Sequence, residues 1–302
     1  MLKRMTNLPS ALLKRLPPPG ARLGRFARGG TTAGAAVGVA AAGLLVGAYL
    51  LQGLWLFRPV RENGHAFQDT AQLKVEPVEL RIDAKVTLHG WELSPKVRAG
   101  KIPGLIYFGG RQEDISELAH VTEMFGARLI RIFNHRGFAM SSGKPSEEGF
   151  LSDALAQYDA LAARPHVDPS NITVIGRSLG SGPAVYLAAH RPVAAVVLVT
   201  PYDSILALAR RHYPYLPVRQ LLRHRFEAHL WAGEARCRVL TVLAESDKVV
   251  PADHSHELLA HWAGSAEVIT IPGTDHSSVL RADATRTAIR DFLDATSSES
   301  SS

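Results

Sequence analysis

The stretch GRSLG, residues 176–180, sets a serine between two glycines, an arrangement that lets a hydroxyl stand clear of its neighbours and act as a nucleophile. Ser178 becomes reactive only if an imidazole takes its proton and a carboxylate holds that imidazole in the right tautomer. Asp247 in ESDKVVP and His276 in TDHSS supply those two types, in the chain order serine, acid, base. Each residue also has a plainer use. Ser178 could cap a helix, Asp247 could open the helix that begins near Asp253, and His276 is one of 13 histidines. Asp203 in VTPYDS is the rival acid, and Asp275, beside His276, reads as a surface or capping residue. His254, His256 and His261 lie along one predicted helix and read as a solvated face, because spacings of two and five residues suit shared metal ligation poorly. The chemistry of the three chosen groups calls for no metal and no cofactor.

Acyl transfer also needs donors for an oxyanion. The backbone N–H of Leu179, just after the serine, is one candidate. The turn FGGRQED offers the other: Gly109 and Gly110 allow close backbone approach, and the main chain of Arg111 follows. An ordinary glycine turn is the alternative. The side chains of Arg111 and Arg177 could attract an anionic or phosphate-bearing substrate, or could equally be paired to nearby acids.

These residues are positioned by an alternation of short apolar runs and amphipathic stretches. Residues 75–93 predict two leading antiparallel strands joined near Asp83 and Ala84. Strands are expected at 104–108, 129–133, 172–175, 194–199, 239–243 and 268–271, with helices at 150–164, 180–190, 254–263 and 279–294. That alternation implies an α/β fold with a mostly parallel, doubly wound sheet covered on both faces. In such sheets ligands bind at the carboxyl ends of the strands. Ser178, Asp247 and His276 each follow a predicted strand, so the topology brings them to one edge. Gly176 and Gly180 leave room for the sharp strand-to-helix turn that carries Ser178.

Composition limits the remaining possibilities. The 302 residues, 46% hydrophobic and 21% charged, suit one sizeable globular domain with extensions. The lone Cys237 excludes an intramolecular disulfide. The net charge of +6 resides in residues 1–30, where seven basic residues meet no acid, leaving 27 basic against 28 acidic residues elsewhere. A nearly neutral body argues against nucleic acid as a partner. Residues 1–29 are Pro/Gly-rich and basic, and read as a disordered segment. Gly29 to Phe57 carries no charge at all, and as a helix it would reach roughly 40 Å, more than a bilayer core. A single transmembrane helix is therefore expected over 30–57. It runs straight into LFRPVREN without a small-residue cleavage site, which favours a retained anchor over a cleaved signal. The basic flank would stay cytoplasmic and put the rest, with a catalytic domain at 58–295, on the opposite, periplasmic or extracytoplasmic side. The serine-rich residues 296–302 are expected to form a disordered tail.

The segments FGGRQED, NHRGFAMSSGKPSEEGFLSDA, GRSLGSGPAVYLA, TPYDSI, AESDKVVP and PGTDHS together resemble the α/β-hydrolase superfamily. The similarity is strongest to membrane-anchored serine hydrolases related to serine aminopeptidases, lysophospholipid lipases and protein depalmitoylases, over roughly residues 50–295. It implies Ser178 as nucleophile, Asp247 as acid, His276 as base, and oxyanion donors at Leu179 and Arg111. The chain departs from the pattern in two places. Gly109, Gly110 and Arg111 stand where relatives commonly have histidine, glycine and asparagine, and Asn134 and His135 stand where an acid and a tyrosine precede "RG".

The resulting expectation is a serine hydrolase that cleaves an acyl ester or thioester of a small-molecule or lipid-like substrate through an acyl-enzyme. A peptidase or amidase of the serine aminopeptidase type and a non-enzymatic membrane-tethered scaffold are the alternatives. The 38 residues between the strands ending near Thr200 and beginning near Val239 are too few for a large lid domain, but enough for two or three helices over the pocket.

Overall fold

A computed structural model describes residues 26–60, 67–97, 100–113, 115, 118, 122 and 124–299; within the first helix, side chains are described at 39, 40, 43 and 45–57. The chain divides into two units between Ala48 and Tyr49, and the second carries the sheet. Helix α1 covers Phe26–Phe57. Strands β1 (Leu73–Arg81) and β2 (Thr87–Pro95) form the expected antiparallel hairpin, closed where Asp83 Oδ1 accepts the N–H groups of Lys85 (2.6 Å) and Val86 (2.9 Å). Then follow β3 (Ile102–Phe108), β4 (Leu129–Phe133), α2 (Glu147–Ala162), β5 (Val167–Arg177), α3 (Ser181–His190) and β6 (Ala195–Val199). Helices α4 (Ile205–His212), α5 (Val218–Leu221) and α6 (Ala228–Ala232) precede β7 (Arg238–Ala244), α7 (Ala252–Ala260), β8 (Ala266–Ile271) and α8 (Asp283–Glu299).

The eight strands form one sheet in the order β1-β2-β4-β3-β5-β6-β7-β8. The β1–β2 and β2–β4 pairings are antiparallel, and every pairing from β4 through β3 to β8 is parallel. The central strands are buried on both faces, which is why LIRIF, AVVLV and RVLTVLA read as continuous apolar runs rather than alternating ones. On one face Ile106, Val174, Val196 and Val239 pack under α2, α3, α6 and α7. On the other, Tyr107, Ile175, Val197 and Val242 pack against Phe125, Ile289, Phe292 and Leu293.

Two expectations at the chain ends need correction. Among the described residues no helix is long and apolar enough to cross a membrane, so the transmembrane segment expected over 30–57 is not found among them. The last two turns of α1 belong to the second unit. Gln52 donates to the Leu221 carbonyl (2.8 Å) and accepts from the Arg223 N–H (2.7 Å), while Phe57 is buried against Phe150 and Phe226 with ring centroids 5.1 and 6.3 Å away. At the other end, 296–299 are the last turn of α8 instead of a disordered tail. Thr296, Ser297 and Ser298 bond back to the carbonyls four residues earlier, and Arg128 Nη2 donates to Ser297 Oγ at 2.8 Å. Of the basic N-terminal segment, 26–29 are helical; residues 1–25 and 300–302 lie outside the described residues.

Candidate active site

Ser178 sits where β5 ends and a single 3-10 turn, Ser178–Gly180, leads into α3. Its φ of +49° lies in the left-handed region that a side-chain-bearing residue seldom occupies, a strain held in place by the packing around it. The flanking glycines are a matter of space. A Cβ on Gly176 would stand 2.6 Å from the Ala184 Cβ, and one on Gly180 would overlap the Phe108 carbonyl oxygen and lie 2.6 Å from that of Gly109. The elbow therefore nests directly against the turn that follows β3. The Ser178 Cβ would lie 3.5 Å from a Cβ built on Gly110, so turn and serine are in van der Waals reach.

The base and the acid arrive from the carboxyl ends of β8 and β7. His276 donates Nδ1–H to Asp247 Oδ2 at 2.8 Å, and its Nε2 accepts from the Ser178 hydroxyl at 2.8 Å. That tautomer is assigned from the partners, since a carboxylate can only accept. Asp247 is 4% exposed at its side chain, and its other oxygen accepts the N–H groups of Val249 and Val250, both at 2.8 Å. The two loops are tied together by the Ser246 N–H donating to the Thr274 carbonyl at 2.9 Å. Asp275 points away and caps its own turn, accepting from the Ser277 and Ser278 N–H groups, with the Ser278 N–H foremost in holding its carboxyl below the usual range.

The turn after β3 is held from behind by three groups. Glu113, with a side chain 4% exposed, accepts from the Gly110 N–H (2.6 Å), the Tyr107 hydroxyl (2.7 Å) and Arg177 Nη1 (2.9 Å). Arg177 Nη2 also donates to the His276 carbonyl at 3.3 Å, so of the two readings of this arginine the structure gives the paired one. His135 donates Nε2–H to the Gly109 carbonyl at 2.9 Å and stacks on Phe150 at 4.2 Å; burial pushes its pKa down, which keeps the ring neutral. The Arg111 guanidinium is directed to the Trp55 carbonyl at 3.2 Å; burial first, then Arg58, lowers its pKa. Leu179 is buried, and its carbonyl accepts from the Tyr202 hydroxyl at 3.0 Å.

Asp203, the rival acid, is not near Ser178's chain of bonds. It joins His254 Nδ1 at 2.7 Å, so His254 is a buried, paired residue, whereas the periodicity had put it on a solvated face; His256 and His261 are exposed. Sequence reasoning missed the roles of Tyr107, Glu113 and His135. The only sequence signal for Glu113 was an acid three residues beyond Gly110. The segment between β6 and β7 folds into three short helices, α4, α5 and α6. Ser204 caps α4 through the Ala207 N–H (3.0 Å), and Glu147 accepts the N–H groups of Arg225 (2.7 Å) and Phe226 (2.9 Å). Tyr213, Tyr215 and Leu216 of this segment are exposed.

A family model described as the alpha/beta hydrolase fold matches residues 119–229. The protein Rv2307c of Mycobacterium tuberculosis is 35% identical over 211 residues, covering 68% of this chain and 74% of the relative. Protein bem46 of Schizosaccharomyces pombe is 26% identical over 234 residues, 73% of this chain and 77% of its own. Among solved structures, acetyl xylan esterase 1 from Thermoanaerobacterium superposes with a TM-score of 0.58 at 17% identity, covering 82% of this chain and 92% of the esterase. At that identity the likeness concerns the fold alone.

Proposed function

Since the chain belongs to the α/β-hydrolase superfamily, we propose that it is a serine hydrolase that cleaves an acyl ester or thioester through an acyl-enzyme. The observation that carries this reading is the continuous chain of 2.8 Å bonds from Ser178 Oγ through His276 to Asp247. Ser178 Oγ attacks the acyl carbonyl as His276 Nε2 takes its proton, and Asp247 stabilises the imidazolium that forms. The carbonyl oxygen becomes an oxyanion that the N–H groups of Leu179 and Arg111 receive; a donor in such a position contributes roughly 10²–10³ in rate. The imidazolium then protonates the leaving alcohol or thiol. A water deprotonated by His276 attacks the acyl-Ser178 ester, releasing the acid and restoring the hydroxyl.

The covering segment speaks for an apolar acyl group. Its three helices are short, and Tyr213, Tyr215 and Leu216 expose apolar surface there. An open depression of ≈ 440 Å³ adjoins Asp247 and is lined by Arg211, His212, Lys248 and Pro251. The test is a series of acyl esters and thioesters of increasing chain length, run beside aminoacyl amides with the native protein and Ser178→Ala. Ester and thioester turnover that rises with chain length and vanishes in the variant is expected. Turnover confined to amides would contradict the reading.

A further inference from the structure

The proposed mechanism leaves a buried carboxylate and a half-buried guanidinium unused, and they stand between its moving parts. Glu113 is a carboxylate behind the oxyanion turn, and Arg177 is the residue immediately before the nucleophile. Glu113 holds the Gly110 N–H, so that N–H is turned to the carboxylate, and in the proposed mechanism the Arg111 N–H is the one that receives the oxyanion. Arg177 bonds Glu113 with one nitrogen and the His276 carbonyl with the other. One side chain thus spans from the oxyanion turn to the loop of the base.

We infer that Glu113 and Arg177 form a positioning pair that sets the oxyanion turn and the His276 loop in mutual register while keeping their combined charge at zero beside the reacting atoms. The inference rests on the serine-hydrolase reading. The charge balance matters because a lone buried carboxylate would oppose the developing oxyanion and favour the imidazolium, whereas a lone guanidinium would do the reverse. Other groups leave that balance intact. Facing Glu113 are Tyr107, whose hydroxyl burial and Glu113 push far up and so keep neutral, and the neutral ring of His135. Beside His276 stand Asp247, bonded to it, and the neighbouring Asp275, whose carboxylate is turned to the Ser277 and Ser278 N–H groups.

The test compares Arg177→Met, Glu113→Gln and the double variant in full-length protein, reading kcat, KM and the pH dependence of kcat/KM. In Arg177→Met, kcat should fall roughly 10²-fold with KM within about twofold, and the acidic limb should move to higher pH, since the unpaired carboxylate favours the imidazolium. Glu113→Gln should move that limb to lower pH. The double variant should return it to its native position and lose less kcat than Arg177→Met alone. Arg177→Lys, which keeps the charge, should keep the native limb. A merely structural pair would lower melting temperature and active fraction without moving the limb in opposite directions. Limbs that stay put, or that move the same way in both single variants, overturn the inference. Should Arg177→Met not fold, Glu113→Gln and Arg177→Lys carry the same comparison. Absence of any Ser178-dependent turnover in the native protein would overturn the hydrolase reading itself. Titration of the His276 ring by NMR in the same variants would then still decide whether the pair sets the charge around it.

Discussion

Asp203 and His254 make a second carboxylate–imidazole pair, joined at 2.7 Å with both side chains 10% exposed, on the loop after β6 and the first turn of α7. It has the composition of the Asp247–His276 pair but no serine: among the described residues, His254 Nε2 is buried without a hydrogen-bond partner. The two acids should therefore respond differently. Asp247→Asn should lower kcat by roughly 10³–10⁴ through loss of the correct His276 tautomer, with melting temperature nearly unchanged. Asp203→Asn should leave kcat within a few-fold and reduce stability by about 1–3 kcal/mol, since a neutral amide replaces the charged acceptor of a buried imidazole. Thermal melts and ester kinetics on both variants separate the roles.

The elbow predicts a steric result. A methyl at position 180 meets the carbonyl oxygens of Phe108 and Gly109, which are backbone and cannot swing aside. Gly180→Ala should cost roughly 2–4 kcal/mol, and any folded fraction should have lost most of its kcat because the turn at Gly109–Gly110 is pushed off Ser178. Denaturant unfolding beside esterase assay checks both.

Acid should loosen the oxyanion turn through His135. Burial holds its folded pKa below the ordinary 6.5, so the unfolded chain binds the proton more readily, and stability falls as pH drops below about 6.5. His135→Gln, which can still donate to Gly109, should flatten that part of the stability profile. Melting temperatures between pH 7.5 and 5.5, measured for both proteins, should diverge at the acid end.

Cys237 should be chemically silent. Burial pushes its thiol up to about 12, so almost no thiolate exists at neutral pH. Iodoacetamide at pH 7.5 should leave the native protein unlabelled and fully active, and label it only after denaturation, as intact mass will report.

Much of this site is legible in the chain because its logic is local. The strands were found as apolar runs buried on both faces, and Ser178, Asp247 and His276 because each directly follows one of those runs. What escaped depends on contacts between distant residues. His254 has a partner 51 positions away, which no helical periodicity reveals, and so it read as solvated. His135 reaches back 26 positions to Gly109, and Arg177 reaches 64 positions to Glu113 and 99 to His276. The C-terminal end differs for another reason: the serine-rich run at 296–302 reads as a tail by composition, whereas Thr296, Ser297 and Ser298 extend α8 by bonding to carbonyls four residues earlier.

The central claim is that Ser178 carries the acyl group. Reaction with a fluorophosphonate, followed by digestion and mass spectrometry, tests it on the native protein at pH 7.5. Stoichiometric modification of the peptide containing Ser178 is expected, with turnover lost in parallel and no modification in Ser178→Ala or in heat-denatured protein. Modification elsewhere, or full ester hydrolysis retained by Ser178→Ala, would contradict it.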